Sequence, residues 1–579
     1  MNIQEALAKV EKKLITELDS SGVWHGELSG SALSTAVAVF ALWRLDSEKH
    51  QKPISDGVLW LRKNGNNDGG WGYTTLSKSN LSTTLLVWSA LSATNPIKPV
   101  GDVIERAEHW LLKKTGSLEP NQISRAVVSY YGNDKTFAAP ILAMCAVAGK
   151  LGTGEKAWKF VPQLPFEFSV VPRSLYKLLS LSVVSYALPA LISIGLLRHN
   201  KRAGISPIRF FRNLCVKKAL SILENIQPSS GGYLEAVPLT GFVAMSLACM
   251  GYKNNSIIAK SKEFLLETQR SDGSWPIDSN LATWVTPLSV NALSFSSQPI
   301  TLEWLLKQQH FERHPYTGAK SGGWAWTNLS GGVPDADDTS GALVALRKLG
   351  KDNKQVQNAA ISGMQWLIDI QNKDGGIPTF CKGWGKLPFD RSCPDITAHA
   401  IRALSVWRDT PGSRQKRNID ASIKKALSYL KTAQREDGSW VPLWFGNQHT
   451  PSEENPVYGT AQVVKSLLEL RTNSKAIELI ISGQNYLSGS QNHDGGWGGG
   501  KNSPSSIEET ALAITALSQS ENAKCKEAIE NGAEWLIKKT KNCTEFSPAP
   551  IGLYFANLWY YEKLYPVIFS VEAFNAIKV

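Results

Sequence analysis

Apolar residues recur at three- and four-residue spacing along most of the chain, and strand-like alternation is scarce. LSTTLLVWSALSAT (81–94), AISGMQWLIDIQ (360–371) and ETALAITALSQS (509–520) are examples, and each predicts a helix. Between such runs stand short Gly-rich stretches. Several contain Asp-Gly, which breaks a helix and makes a turn. Seven turns are full or decayed forms of Q-x-x-D-G-x-W. They are NNDGGW ending at Trp71, QPSSGGY at Tyr233, QRSDGSW at Trp275, SGGW at Trp324, QNKDGGI at Ile377, QREDGSW at Trp440 and QNHDGGW at Trp497. From Tyr233 onward they lie 42 to 63 residues apart, room for two helices each. A Gln amide satisfies free backbone groups at a helix end. Gly permits the close turn. Trp packs on the adjacent hairpin while its N–H finds a partner. Repeated helical hairpins of this kind stack as a solenoid or close into an α/α barrel.

The length, 579 residues, exceeds one ordinary domain. A hydrophobic content of 42% excludes a mainly disordered chain. Lys plus Arg number 62 against 50 Asp plus Glu, but the +12 is spread thinly without a long basic block, so nucleic acid is not expected as a partner. The seven Cys are scattered with no CxxC pair, which indicates neither a zinc ribbon nor a disulfide framework. The start, MNIQEALAKVEKKL, is amphipathic without an apolar signal core, and a reducing intracellular setting is expected. The longest uncharged run, Leu178 to Leu197, holds four Ser, a Tyr and the central Pro189. It reads as a buried or interfacial helix rather than a bilayer span.

The chemistry concentrates in PDADDTS, where Asp335, Asp337 and Asp338 stand just before an apolar helix. Three carboxylates in four positions repel one another, and if buried together at least one keeps its proton near neutral pH. Solvated helix-capping acids or a Mg²⁺ site would give the same local pattern. A second element, CPDITAH, places Asp395 and His399 one helical turn apart. An imidazolium at His399 would stabilise a nearby carboxylate, with Asp395 holding it charged and oriented. Cys393, Asp395 and His399 are also the nearest candidates for a zinc site.

DADDT together with the Q-x-x-D-G-x-W series resembles the squalene–hopene cyclase family of class II terpene cyclases, over nearly the whole length. The resemblance implies an all-α fold of two α/α barrels, one from residues 1–18 plus 259–579 and an inserted one from 19–258. It implies a protonation-initiated cyclisation of a linear polyprenyl substrate, with no cofactor and no metal. Asp337 would give the proton, with Asp335 and Asp338 beside it, His399 raising its acidity, and Tyr458 of YGT positioning water or returning the proton. Aromatic faces would stabilise the cations. By matching motifs these are Trp326 of GGWAW with its neighbour Trp324, Trp284 of WVT, Phe380, Trp444, and Tyr554 and Tyr561 in the tail. A non-catalytic helical-repeat binding protein and a zinc-dependent prenyltransferase are the rival classes.

Departures bear on the substrate. Val285 replaces the family's Asp after Trp284, EENP is inserted between Trp444 and Tyr458, and Pro550 and Leu558 stand where the family has cavity aromatics. These changes favour a farnesyl- to geranylgeranyl-length chain on an aromatic head group (a meroterpenoid precursor) over squalene. The Lys and Arg excess would help to hold a carboxylate on that head. A monotopic membrane contact is expected where the apolar run ends, in RHNKRAGISPIRFFRN (198–213), with Arg198, Lys201, Arg202, Arg209 and Arg212 meeting lipid while Ile208, Phe210 and Phe211 insert. The resemblance also allows a homodimer.

Overall fold

The computed structural model describes the chain apart from residues 133–134, 180, 295–297, 411, 471, 555–557 and 579. Its helices fall into two kinds, as the sequence pattern requires. One kind is apolar or small on every face. In Ala32–Asp46, ALSTAVAVFALWRLD, the stretch from Ala32 to Leu42 is buried throughout. A helix of that kind must sit inside a layer of others. The other kind carries one apolar stripe on a charged surface, as in Ser413–Ala433.

The inner helices close two rings. In the first, Ala282–Ala292, Ala336–Gly350, Pro394–Val406, Pro456–Leu467, Ile507–Leu517 and Tyr565–Ile577 pack each on the next, and the last returns to the first. Amphipathic helices such as Lys354–Ile370, Ala523–Lys539 and the N-terminal Ile3–Thr16 pack around it. In the second ring, Ala32–Asp46, Leu81–Thr94, Lys135–Val147, Val184–Lys201 and Val237–Cys249 close in the same way. This is an all-α fold of two α/α barrels. The buried apolar side chains form two matching clusters. One runs from Ala6 to Leu28 and resumes at Ile277; the other begins at Ala32 and holds Ile257, Phe264 and Trp275.

The repeat turns tie one hairpin to the next. Gln491 Nε2 donates to Gly495 O (2.7 Å) in its own turn and to Ala528 O (2.9 Å) in the following helix. Trp497 Nε1 donates to Leu487 O (2.8 Å), and Trp497 N to Thr510 Oγ1 (2.9 Å). Gln371 bonds Gly375 O and Ser422 O, and Trp440 bonds Leu430 O and Thr460 Oγ1, in the same sense. Leaving such a buried carbonyl unpaired costs about 1–3 kcal/mol. The Gly before each aromatic position has to be Gly. Gly375 has φ +92°, and a Cβ there would lie 2.4 Å from Lys425 O. Trp24 makes the same bond, Nε1 to Leu14 O at 2.7 Å, in a turn with no Gln or Asp-Gly to announce it.

Extended backbone is confined, among the described residues, to two short antiparallel pairs, Ile377–Pro378 with Ser392–Cys393 and Gly552–Tyr554 with Leu558–Tyr560, and to isolated bridges. Both pairs flank the cavity between the barrels, and Trp559 of the second pair packs into the second cluster. No helix among the described residues is long and apolar enough to cross a membrane. The uncharged run instead enters the helix Val184–Lys201, which is buried over most of its length around Pro189.

Candidate active site

Asp335 starts the site. It is the N-cap of Ala336–Gly350, and its Oδ1 accepts from Asp337 N and Asp338 N, both at 2.9 Å. Its backbone is fixed from outside the helix, since Asp335 N donates to Trp324 O (2.9 Å) and Ala336 N to Thr379 O (2.8 Å). The next inner helix, Pro394–Val406, begins with Pro at its first position and carries Asp395 and His399 on one face. The result is a bond between helices: His399 Nδ1 and Asp337 Oδ1 are 2.6 Å apart.

Asp337 separates two environments. On one side is a small polar pocket lined by Asp337, Asp395, His399, Arg402, Tyr458, Gln462, Lys465 and Glu572. On the other is a cavity of about 370 Å³, walled almost wholly by apolar and aromatic side chains of both barrels. Small-molecule sites usually fall in about that range, 300–1,000 Å³. Burial pushes Asp338 well above the ordinary carboxylate range, and the neighbouring Asp335 adds to the effect. Burial likewise raises Asp335. Asp395 is pushed up to about 7, by burial first and then by the charge of Asp337. Among the described residues no group of three or more His, Cys, Asp or Glu is arranged to hold a metal ion.

The aromatic wall forms a connected set. Trp326 meets Phe380 edge-on (6.1 Å between centroids), and Phe380 meets Trp444 in the same way (6.0 Å). Tyr186 and Phe389, which the sequence reading missed, complete this cage; Tyr186 lies 5.3 Å from Phe380 and 5.4 Å from Phe389. Trp284 also lines the cavity and is held by Nε1 donating to Tyr565 Oη (2.9 Å). Tyr554 lines it together with Tyr560, 5.0 Å away.

Several expected placements need correction. Trp324 does not face the cavity; it is buried in its turn, with Nε1 donating to Leu305 O (2.9 Å), as the repeat Trp residues do. Tyr561 is not on the wall either. Successive strand residues point to opposite faces, and it is Tyr560 that turns inward. Tyr458, by contrast, lines the polar pocket together with Asp337 and stacks on Phe445 at 4.1 Å. Asp395 takes its hydrogen bond from Cys393 Sγ (2.6 Å), so it neighbours His399 across the pocket without orienting it directly. Leu558 lines the cavity but Pro550 does not. None of the described lining residues is Lys, Arg or His, so the basic excess offers no hold for a carboxylate inside the cavity.

The sequence profile of the squalene-hopene cyclase C-terminal domain matches residues 282–509, and that of the N-terminal domain matches residues 7–144. The chain belongs to the squalene-hopene cyclase family. Its similarity to individual members is low but long. Enfumafungin synthase of Hormonema carpetanum is 23% identical over 93% of this chain, which spans only 45% of that relative's length. A squalene--hopene cyclase of Zymomonas mobilis subsp. mobilis is 23% identical over 93% of this chain and 89% of its own. The fold matches that of ent-copalyl diphosphate synthase from Streptomyces platensis with a TM-score of 0.57, at 16% identity and 98% coverage of both chains.

The raised acids make stability depend on pH. Below about pH 4 Asp395 is neutral in both the folded and the unfolded chain. As pH rises from the ordinary 3.8 towards about 7, only the unfolded chain ionises there, so the folded state loses up to about 4 kcal/mol from this group. Thermal unfolding at pH 5 and pH 8 checks this. Asp395→Asn should lose less stability between the two than the parent protein, and an unchanged difference would contradict the assignment.

Proposed function

We propose that the protein is a class II terpene cyclase that protonates and polycyclises a linear polyprenyl substrate. The observation that carries the proposal is the position of Asp337, hydrogen-bonded to His399 on its polar side and open to an aromatic cavity on the other. Oδ1 takes the His399 N–H, which leaves Oδ2 to deliver the proton. The terminal alkene takes that proton as a new C–H bond, and the adjacent carbon becomes a cation. The Asp337 carboxylate left behind is stabilised by the imidazolium. Each following alkene then attacks the cation before it. Trp326, Phe380, Trp444 and Trp284 present π faces to these cations, worth about 2 kcal/mol or more each when desolvated. Loss of a proton, or capture by an oxygen, ends the cascade. Pre-folding of the chain and exclusion of water are the protein's other contributions.

For the substrate we favour a farnesyl- to geranylgeranyl-length chain on a neutral aromatic head over squalene. Leu558 in the wall, where the family has an aromatic, supports the shorter chain, and the absence of a cation among the described lining residues supports a neutral head. Asp337→Asn keeps the shape and removes the transferable proton. Product analysis should then show turnover reduced by several orders of magnitude with the fold intact, whereas near-normal turnover would remove Asp337 from its role. Given squalene and a geranylgeranylated phenol together, the parent protein should consume the phenol first.

The proposal includes attachment to one face of a membrane. Ile208 (62% exposed), Phe210 (68%), Phe211 (53%) and Leu214 (66%) stand out from Pro207–Asn225, and Leu178, Leu179 and Trp384 are exposed as well. Trp384 Nε1 donates to Leu179 O (2.9 Å), which ties the Trp384 loop to the start of the apolar run. The cavity-lining Val183, Leu387 and Pro388 adjoin these two in sequence, a route for an apolar substrate from the bilayer. The basic residues contribute less than the sequence suggested. Arg212 pairs with Glu167 (2.8 Å), Arg209 donates to His199 O (3.1 Å), and Arg198 donates to Gln163 Oε1 (2.9 Å). Insertion of the aromatic residues therefore dominates. In vesicle flotation the parent protein should float, and Phe210→Glu with Phe211→Glu should stay at the bottom; a protein that never floats contradicts the attachment.

A further inference from the structure

One acid in the cavity wall has no part in the scheme above. Asp278 is 2% exposed, lines the cavity, and leaves Oδ1 without a hydrogen-bond partner. Trp326, on the same wall, leaves Nε1 unpaired as well. The Trp326 indole and the Tyr554 hydroxyl both lie within hydrogen-bonding reach of the Asp278 carboxyl and pull its pKa down, but the contacts are loose: Oδ1 and the indole N–H are each left without a well-formed bond. Buried polar groups are nearly always paired, so two orphans facing one cavity point to a ligand atom between them.

The backbone that holds Asp278 is strained. Asp278 bridges Ala236 of the second barrel. Just before Ala236, Leu234 and Glu235 have φ of 55° and 54°, in the left-handed region that side chains avoid. The Glu235 carboxyl holds this turn in place by accepting from Ser230 Oγ (2.6 Å) and Gly331 N (2.7 Å). Asp278 therefore sits at the seam of the two barrels, in the cavity wall, and is kept there at a cost. Burial pushes its carboxyl well above the ordinary range, and the Glu235 charge adds to this, which favours the neutral form.

We infer that Asp278 and the Trp326 N–H form a second polar site, separate from Asp337, that binds a hydroxyl group carried by the polyprenyl substrate. A neutral carboxyl both donates and accepts, and the indole donates. A hydroxyl oxygen accepts from either donor while its own proton goes to the carboxyl C=O, which satisfies both orphans. A hydrocarbon would leave them unpaired. An anionic head group would meet acids on this wall and, among the described lining residues, no cation. The substrate class is thus a polyprenyl phenol or alcohol whose hydroxyl meets Asp278 and the Trp326 N–H while its far alkene reaches Asp337. This inference deepens the cyclase reading and rests on it.

Saturated ligands test it without turnover. A fully saturated isoprenoid alcohol and the alkane of equal carbon number are titrated into detergent-solubilised protein, and quenching of tryptophan fluorescence gives their affinities. Comparing variants cancels the ligands' different solubilities. One neutral hydrogen bond predicts an affinity ratio, alcohol over alkane, about ten-fold higher in the parent protein than in Asp278→Leu. Asp278→Asn, which can still donate and accept, should keep most of that preference; Trp326→Phe, which removes the N–H and keeps a ring, should lower the ratio too, and it serves if the Leu variant does not fold. Equal ratios in the parent and Leu proteins, or no binding of either ligand, would overturn the inference. Failure of the cyclase reading appears separately, as no cyclised product from any polyene.

Discussion

The hydrogen bond between His399 and Asp337 is the contact on which the rest of the site depends. It joins the starts of two neighbouring inner helices, so its length of 2.6 Å is set by how the ring closes and not by either helix alone. In the proposed reaction it also decides which of three adjacent carboxyls gives the proton. Asp335 is occupied with capping its helix, and Asp338 is buried without a partner for Oδ1. Only Asp337 has the His399 ring behind it as a hydrogen-bond donor and an open cavity in front. A proton delivered from there enters a space with aromatic faces for a cation and few groups to quench it.

The scaffold makes that arrangement affordable. Twin rings of fully buried helices, tied by Gln amides and indole N–H groups, hold the cavity open against collapse. Within the wall the structure tolerates what a core would normally exclude: unpaired atoms at Asp338, Asp278 and Trp326. Replacing such groups with apolar ones commonly stabilises a protein at the expense of its function. Their position along one cavity ties them to the ligand and not to folding.

Much of this was legible in the sequence, for definite reasons. Helix periodicity and the Gln, Asp-Gly and Trp of the turns are local signals, so the hairpins could be read directly. The spacing of Asp395 and His399 put both on one helical face before any tertiary information. What failed was direction. Tyr560 and Tyr561 are adjacent and alike, and only the pairing of Gly552–Tyr554 with Leu558–Tyr560 decides which one enters the cavity. Tyr186 was hidden in a run read for its hydropathy, and Phe389 in a loop without periodicity. Asp278 carried no signal at all, because its environment is assembled from both barrels. Trp24 escaped because its turn lacks the Gln and Asp-Gly that mark the others, although its indole makes the same bond to a leucine carbonyl.

The central claim is that the reaction begins with a proton from Asp337. Cyclisation in D₂O tests it most directly, because the carboxyl exchanges with solvent before each turnover. The account predicts a product with one deuterium at the carbon of the terminal alkene that took the proton, and no such product from Asp337→Asn. Cyclised product without deuterium, or equal labelling by the Asn variant, would contradict it.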